Sequence, residues 1–169
     1  MMAWFASLPA RVSSTSNRVA RVVEILLFVI GLGMALLTGT QVLSRYLLNH
    51  SLFWSEEVGR MCLVWISFLG ASAVYKRGGH IGIYFLVQRL PHRARRILAI
   101  LLLWLSFIFF AVMILFGFSF VAFTAGQKTA ALGIPKSIPY LAIPISGLMF
   151  LLHGLNHLLE LLTHREPGR

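Results

Sequence analysis

Four long apolar runs, broken by short polar or basic segments, organise the chain. They cover about Val22 to Leu43, Trp54 to Tyr75, Ile97 to Phe123 and Ile138 to Leu162. At about 1.5 Å per residue, the first would rise roughly 33 Å as a helix, enough to cross the hydrocarbon core of a bilayer. A fifth apolar run, Ile81 to Leu90, is only about ten residues long and cannot span. It follows the turn signal Lys76-Arg77-Gly78-Gly79-His80, and Pro91 ends it. Basic residues bound it, so it is expected to lie along the membrane surface. The pattern predicts an all-α membrane protein: four transmembrane helices plus a short interfacial helix between the second and third. Residues 1–21 are expected to form a cytoplasmic segment, 22–163 the transmembrane domain and 164–169 a cytoplasmic tail. The first run is too long for the core of a cleavable leader and no clear cleavage site follows it, so it is read as a retained span.

Composition agrees. Of 169 residues, 58% are hydrophobic and 12% charged, with a mean hydropathy of +0.82. Soluble domains carry about 25% charged residues. The net charge of +10 does not point to nucleic acid, because no basic residues interleave with aromatics on a soluble face. Beside membrane spans, basic residues set orientation instead. Arg11, Arg18 and Arg21 precede the first span; Lys76, Arg77, Arg89, Arg93, Arg95 and Arg96 lie between the second and third; Arg165 and Arg169 follow the fourth. On the opposite side are Arg45, Lys128 and Lys136. Both termini and the middle link are therefore expected in the cytoplasm of a bacterial cell, the protein sitting in its inner membrane. Arg93, Arg95 and Arg96 are expected to meet anionic phospholipid headgroups. The lone cysteine, Cys62, permits no intrachain disulfide and reads as a small buried hydrophobe.

The most concentrated chemistry is Trp54-Ser55-Glu56-Glu57-Val58-Gly59-Arg60, which holds two of the five acidic residues. Glu56 and Glu57 are adjacent, so on a helix they point about 100° apart and form no catalytic dyad. Glu56 precedes Arg60 by one turn, the favourable order for a helical ion pair. Arg45, at the end of the first span, is on the same side, and Glu57 is expected to pair with Arg45 or Arg60 and so close the turn between spans one and two. In the first span Gly31, Ala35 and Gly39 share one face, a spacing that admits another helix closely, with Thr38, Gln41 and Arg45 on the face beside it. Gly70, Ala71 and Ala73 slim the second span. Pro139 fits the first turn of the fourth, and Pro144 is expected to kink it or tighten its entry.

His153, His157, Glu160 and His164 fall on one face of the fourth span. Histidines four apart on a helix can share a metal, but no ligand from another helix is evident, and the face reads as a polar helix end with no metal. A haem would need histidines facing one another within the bundle, whereas His50, His80 and His92 lie in links. A haem- or quinone-linked membrane anchor of a redox enzyme is nevertheless the alternative architecture. Charges sit only near span ends, which is the profile of a packing subunit rather than a transport pathway; no catalysis is expected.

Trp54, Glu56-Glu57, Arg60, Trp65, Phe68-Leu69-Gly70-Ala71 and Gly79-His80-Ile81 resemble, in order and spacing, the small DctQ-like membrane subunit of tripartite ATP-independent periplasmic (TRAP) transporters. A second block, Leu132-Gly133-Ile134-Pro135 with Ile138-Pro139-Tyr140 and Ile143-Pro144, resembles the start of that family's last helix. The chain departs from the family where Ile83-Tyr84 replace a common acid, and near Ser137 and Ile138, where tryptophan is common. The resemblance implies a scaffold subunit with no cofactor of its own. It would flank a large membrane subunit bearing the sodium and substrate sites, fed with an organic anion by a periplasmic binding protein. The stretch around Glu57 would be structural and near the docking face of that binding protein. The solute is not legible in this chain, and neither are the contact residues.

Overall fold

The computed structural model describes residues 2–50, 52–77 and 91–162, with side chains described from residue 12 onward except at 92, 93, 95, 96 and 160–162. The described residues are helical apart from short turns and one isolated bridge. Helix α1 is Met2–Leu47, α2 Phe53–Lys76 and α3 His92–Thr124; a short α4, Ser137–Tyr140, leads into α5, Ala142–Leu162. Among the described residues, four segments are long and apolar enough to cross a membrane: Val12–Leu47, Phe53–Lys76, Ile97–Thr124 and Ser137–Leu159. The expected four-span architecture is present. The interfacial helix expected over 81–90, with Gly79 and His80, lies outside the described residues, as do the side chains of Arg93, Arg95 and Arg96.

Two boundaries differ from the hydropathy reading. Helix α1 runs back through the polar N-terminal segment, for 46 residues in all. Between Arg11 and Val22 there is no proline or glycine to stop it, and its polar Ser16 is buried against α5. The fourth span is broken at Leu141 into α4 and α5. Pro144 then sits in the first turn of α5, where its missing N–H costs nothing because that turn has no intrahelical acceptor to fill. Pro144 therefore tightens the entry and does not bend the helix further along.

Helix α5 is the axis of the bundle. Toward α3 it presents Ile143, Gly147, Phe150 and Gly154, spaced by three or four, as one helical face must be. This face meets Phe107, Phe110 and Met113. The rings of Phe110 and Phe150 stack 5.1 Å apart, and Tyr75 of α2 meets both edge-on. Small residues set the approach. A Cβ on Gly147 would lie 2.9 Å from Ile114 Cγ1, and one on Gly117 would lie 3.1 Å from the backbone nitrogen of Pro144. On the other side of α5, Met149 joins a second cluster made by Val19, Val23, Leu27 and Ile30 of α1 with Trp65, Leu69 and Ala73 of α2. Gly70, expected to be a point of close packing, faces Leu27 at 3.9 Å. Gly31 and Gly39, by contrast, have no neighbour within 4 Å of a would-be Cβ, so among the described residues no helix uses that slim face.

Candidate functional site

The chemistry gathers at the two ends of the bundle. At one end, Glu57 stands in the second turn of α2 and reaches into the link between α3 and α4. Its carboxylate accepts three consecutive backbone N–H groups, from Ala130 at 3.1 Å, Ala131 at 3.1 Å and Leu132 at 2.8 Å. The link is shaped for this. Thr129 N–H donates to Ile134 O at 2.8 Å, Gly133 N–H donates to Thr129 O at 3.2 Å, and Lys128 and Pro135 form an antiparallel bridge. Gly133 has φ +66°, a left-handed conformation that glycine adopts without a Cβ penalty. The turn thus points successive amides to one spot, and three parallel N–H dipoles make a seat for an anion.

This corrects the expected ion pair. Glu57 does not close the turn between the first two spans, and neither Arg45 nor Arg60 is its partner; its contacts instead bind α2 to the link that precedes α4. The α1–α2 turn is closed by two serines that drew no notice in the sequence. Ser44 Oγ donates to His50 O at 2.8 Å, and Ser55 Oγ donates to Leu52 O at 2.6 Å. Asn49, at φ 50°, reverses the chain after α1, and the Leu48 and His50 amides both return to Ser44 O. Short serines at the helix ends satisfy orphan backbone groups at less entropic cost than a pair of long charged side chains. Trp54, Glu56, Arg45 and Arg60 are exposed at this end, and Pro135 lies in the bridge beside Lys128.

Because the clasp consists of hydrogen bonds between one carboxylate and three amides, its removal has a local readout. In Glu57→Ala, the amides of Ala130, Ala131 and Leu132 are expected to exchange about tenfold or more faster with deuterated solvent. Glu57→Gln, which keeps one acceptor oxygen, should fall between. Unchanged exchange in the alanine variant would show that the link holds its own shape.

At the other end, His153 is the largest polar side chain in the interior, 1% exposed. Its Nδ1 is 2.8 Å from Ser16 Oγ in a hydrogen bond that joins α5 to α1. His157, one turn on, donates from Nε2 to Tyr75 O at 3.4 Å and meets the Tyr75 ring edge-on. The two histidines therefore serve different helices and do not converge, and no group of three metal-ligating side chains exists among the described residues. Glu160 and His164 lie outside the described side chains. Near this end Arg77 donates to the carboxylate of Glu24, an exposed ion pair between α2 and α1. Nothing in the sequence pattern singled out Ser16 or Glu24, because their partners are 137 and 53 residues away.

No arrangement among these groups brings a nucleophile, a base and a substrate cavity together. They fasten helices to one another at both ends of a sealed apolar bundle.

Comparison with known proteins agrees with that reading. The family model described as the DctQ component of tripartite ATP-independent periplasmic transporters matches residues 34–164. The sialic acid TRAP transporter small permease protein of Vibrio cholerae is 27% identical over 122 residues, covering 72% of this chain and 70% of that relative. The ectoine TRAP transporter small permease protein of Halomonas elongata is 29% identical over 169 residues, covering 96% and 86%. The isethionate TRAP transporter permease protein of Oleidesulfovibrio alaskensis is 32% identical over 108 residues, covering 57% of this chain but 16% of that relative. The alternative of a redox-enzyme anchor finds no support among these relatives, which are permease proteins and not enzymes. The structural clasps, the four apolar spans and the family match over most of the chain lead to one conclusion: this is a multi-pass membrane protein that belongs to the DctQ family of TRAP transporter small permease subunits.

Proposed function

We propose that this chain is the scaffold subunit of a sodium-coupled importer of an organic anion, held in a bacterial inner membrane with both termini in the cytoplasm. It flanks a large permease subunit, which carries the sodium and solute sites, and binds no cofactor itself. The observation that carries this reading is the placement of charge. Between Ile25 and Ser44, Met61 and Tyr75, Ile97 and Gln127, and Ser137 and Leu159 there is no Asp, Glu, Lys or Arg. A transport pathway places ionisable groups or broken helices near mid-membrane, and here the charged groups sit at the ends, where they fasten helices. The relatives are named for sialic acid, ectoine and isethionate, so likeness in this subunit does not set the solute. In the proposed orientation the Glu57 clasp faces the periplasm, and the shaped link Lys128–Lys136 is presented to the binding protein. Arg93, Arg95 and Arg96 meet anionic phospholipid on the opposite side.

The test is joint expression with the large permease subunit of its transporter. Purification through a tag on this chain is expected to bring the large subunit down in a fixed ratio. Proteoliposomes should take up solute only when both subunits and the binding protein are present. Uptake by vesicles holding this chain alone would overturn the proposal.

A further inference from the structure

Helices α1 and α2 meet along a seam that ends at headgroup level, where the apolar runs starting at Val22 and ending at Tyr75 have their limits. Arg77 and Glu24 join the two helices there, and one turn deeper Leu27 lies over Gly70. Arg21 and Lys76 are near enough to act electrostatically on the same carboxylate. Three cations thus share one acid, and among the described residues Glu24 is the acid at this end of the bundle. The C-terminus of α2 adds only about half a negative charge, so the group stays positive. The Arg77–Glu24 pair does not exhaust it. With the two side chains 70% and 46% exposed, the pair contributes little by itself. It also uses one nitrogen of a guanidinium that carries five N–H donors. An apolar strip lies in register below the cations. Phe28, seven residues after Arg21, shares its face of α1, and Val74 precedes Arg77 by one turn of α2. Phe28 is 71% exposed and Val74 55%.

We infer that the outer margin of the α1–α2 seam binds one anionic phospholipid, its phosphate on Arg21 and the free edge of Arg77, its acyl chains along Phe28 and Val74. Charge complementarity selects the headgroup: basic pockets between membrane helices hold anionic lipid, and the arginine fork matches phosphate oxygens two at a time. The apolar strip selects a lipid over a soluble phosphate, which would gain nothing from Phe28 or Val74. A lipid held there bridges α1 and α2 beside their ion pair. The site is made by residues other than Arg93, Arg95 and Arg96, and it does not depend on the scaffold reading.

The test is native mass spectrometry of the full chain, loaded in detergent with phosphatidylglycerol or with phosphatidylcholine of the same acyl chains. The unaltered chain is expected to retain one phosphatidylglycerol and to hold phosphatidylcholine about fivefold or more weakly. Arg21→Gln alters an exposed side chain, so it should lower retention about fivefold without changing the melting midpoint. Glu24→Gln releases Arg77 from its carboxylate and should raise retention. Arg18→Gln removes the same charge one turn earlier on α1 and should leave retention within about twofold, because an exposed charge farther from the site is screened. Equal retention of the two lipids, or retention indifferent to Arg21→Gln, would overturn the assignment. So would an equal loss from Arg18→Gln, the mark of diffuse attraction. Displacement of the lipid by millimolar glycerol 3-phosphate would place the affinity in the headgroup alone and overturn the lipid as occupant.

Discussion

Gly147→Leu is expected to lower the stability of the purified chain by about 3 kcal/mol, seen as a fall of roughly 6–12 °C in its melting midpoint in detergent. Position 147 packs directly against α3, and a single Cβ there already lies 2.9 Å from Ile114 Cγ1 and 3.3 Å from Met113 Cβ. Ile114 is β-branched and stiff at χ1 in a helix, and Met113 Cβ and the Ile114 nitrogen, at 3.4 Å, cannot rotate away, so even Gly147→Ala should cost stability. Leucine cannot be absorbed without moving the helices apart, which also separates Phe110 from Phe150. Gly117 is similarly confined. Its Cβ would meet the ring Cδ of Pro144 at 3.0 Å and the Pro144 nitrogen at 3.1 Å, and neither atom can rotate away. Gly117→Ala is therefore expected to cost stability as well. Gly33, with nothing within 4 Å, serves as the control, where alanine is expected to be neutral or to stabilise the helix by up to about 1 kcal/mol. Equal melting of all three alanine variants would refute the close α3–α5 contact. The lipid matters to this argument: apolar solvent surrounds the bundle, so tight packing and not water exclusion holds the helices together.

The second large effect is expected at His153. His153→Ala removes a ring that is 1% exposed and leaves the Ser16 hydroxyl without its partner. The lost packing and the stranded polar group together cost about 3 kcal/mol. Two further variants separate the contributions. His153→Asn places an amide near the position of Nδ1 and is expected to recover part of the loss. Ser16→Ala, which empties less space, should cost about 1 kcal/mol. A double-mutant cycle between the two positions is expected to show clear coupling. Strict additivity would mean that the histidine stabilises the bundle by filling space alone.

These two sites show how differently parts of the molecule were written into the chain. The spans were legible because each is a long apolar run, and length with apolarity is sufficient to specify a membrane helix: its backbone hydrogen bonds close within the segment. The family blocks were legible for a similar reason, being local in sequence. The role of Pro144 could also be read, since the effect of a proline is exerted on its own turn. The partner of Glu57 could not. A carboxylate beside two arginines suggests an ion pair, and charge is visible in a sequence. A row of backbone amides is not visible, because any three residues carry them and only the turn at Gly133 aligns Ala130, Ala131 and Leu132 on one point. The stripe of Gly31, Ala35 and Gly39 was legible as a surface for close approach, but not as one that the described helices leave uncovered. Which face of α1 meets α2 depends on how Val23 and Leu27 pack against Leu69 and Ala73.

The sequence by itself determined the number of spans, the family and the placement of charges at the ends, all properties of contiguous segments. Tertiary structure alone decided that Glu57 fastens the α3–α4 link and that Ser16 meets His153. Each of these joins groups far apart in the chain, and hydrogen bonds and packing contacts reach only a few ångströms, so they exist only once the helices have been brought side by side.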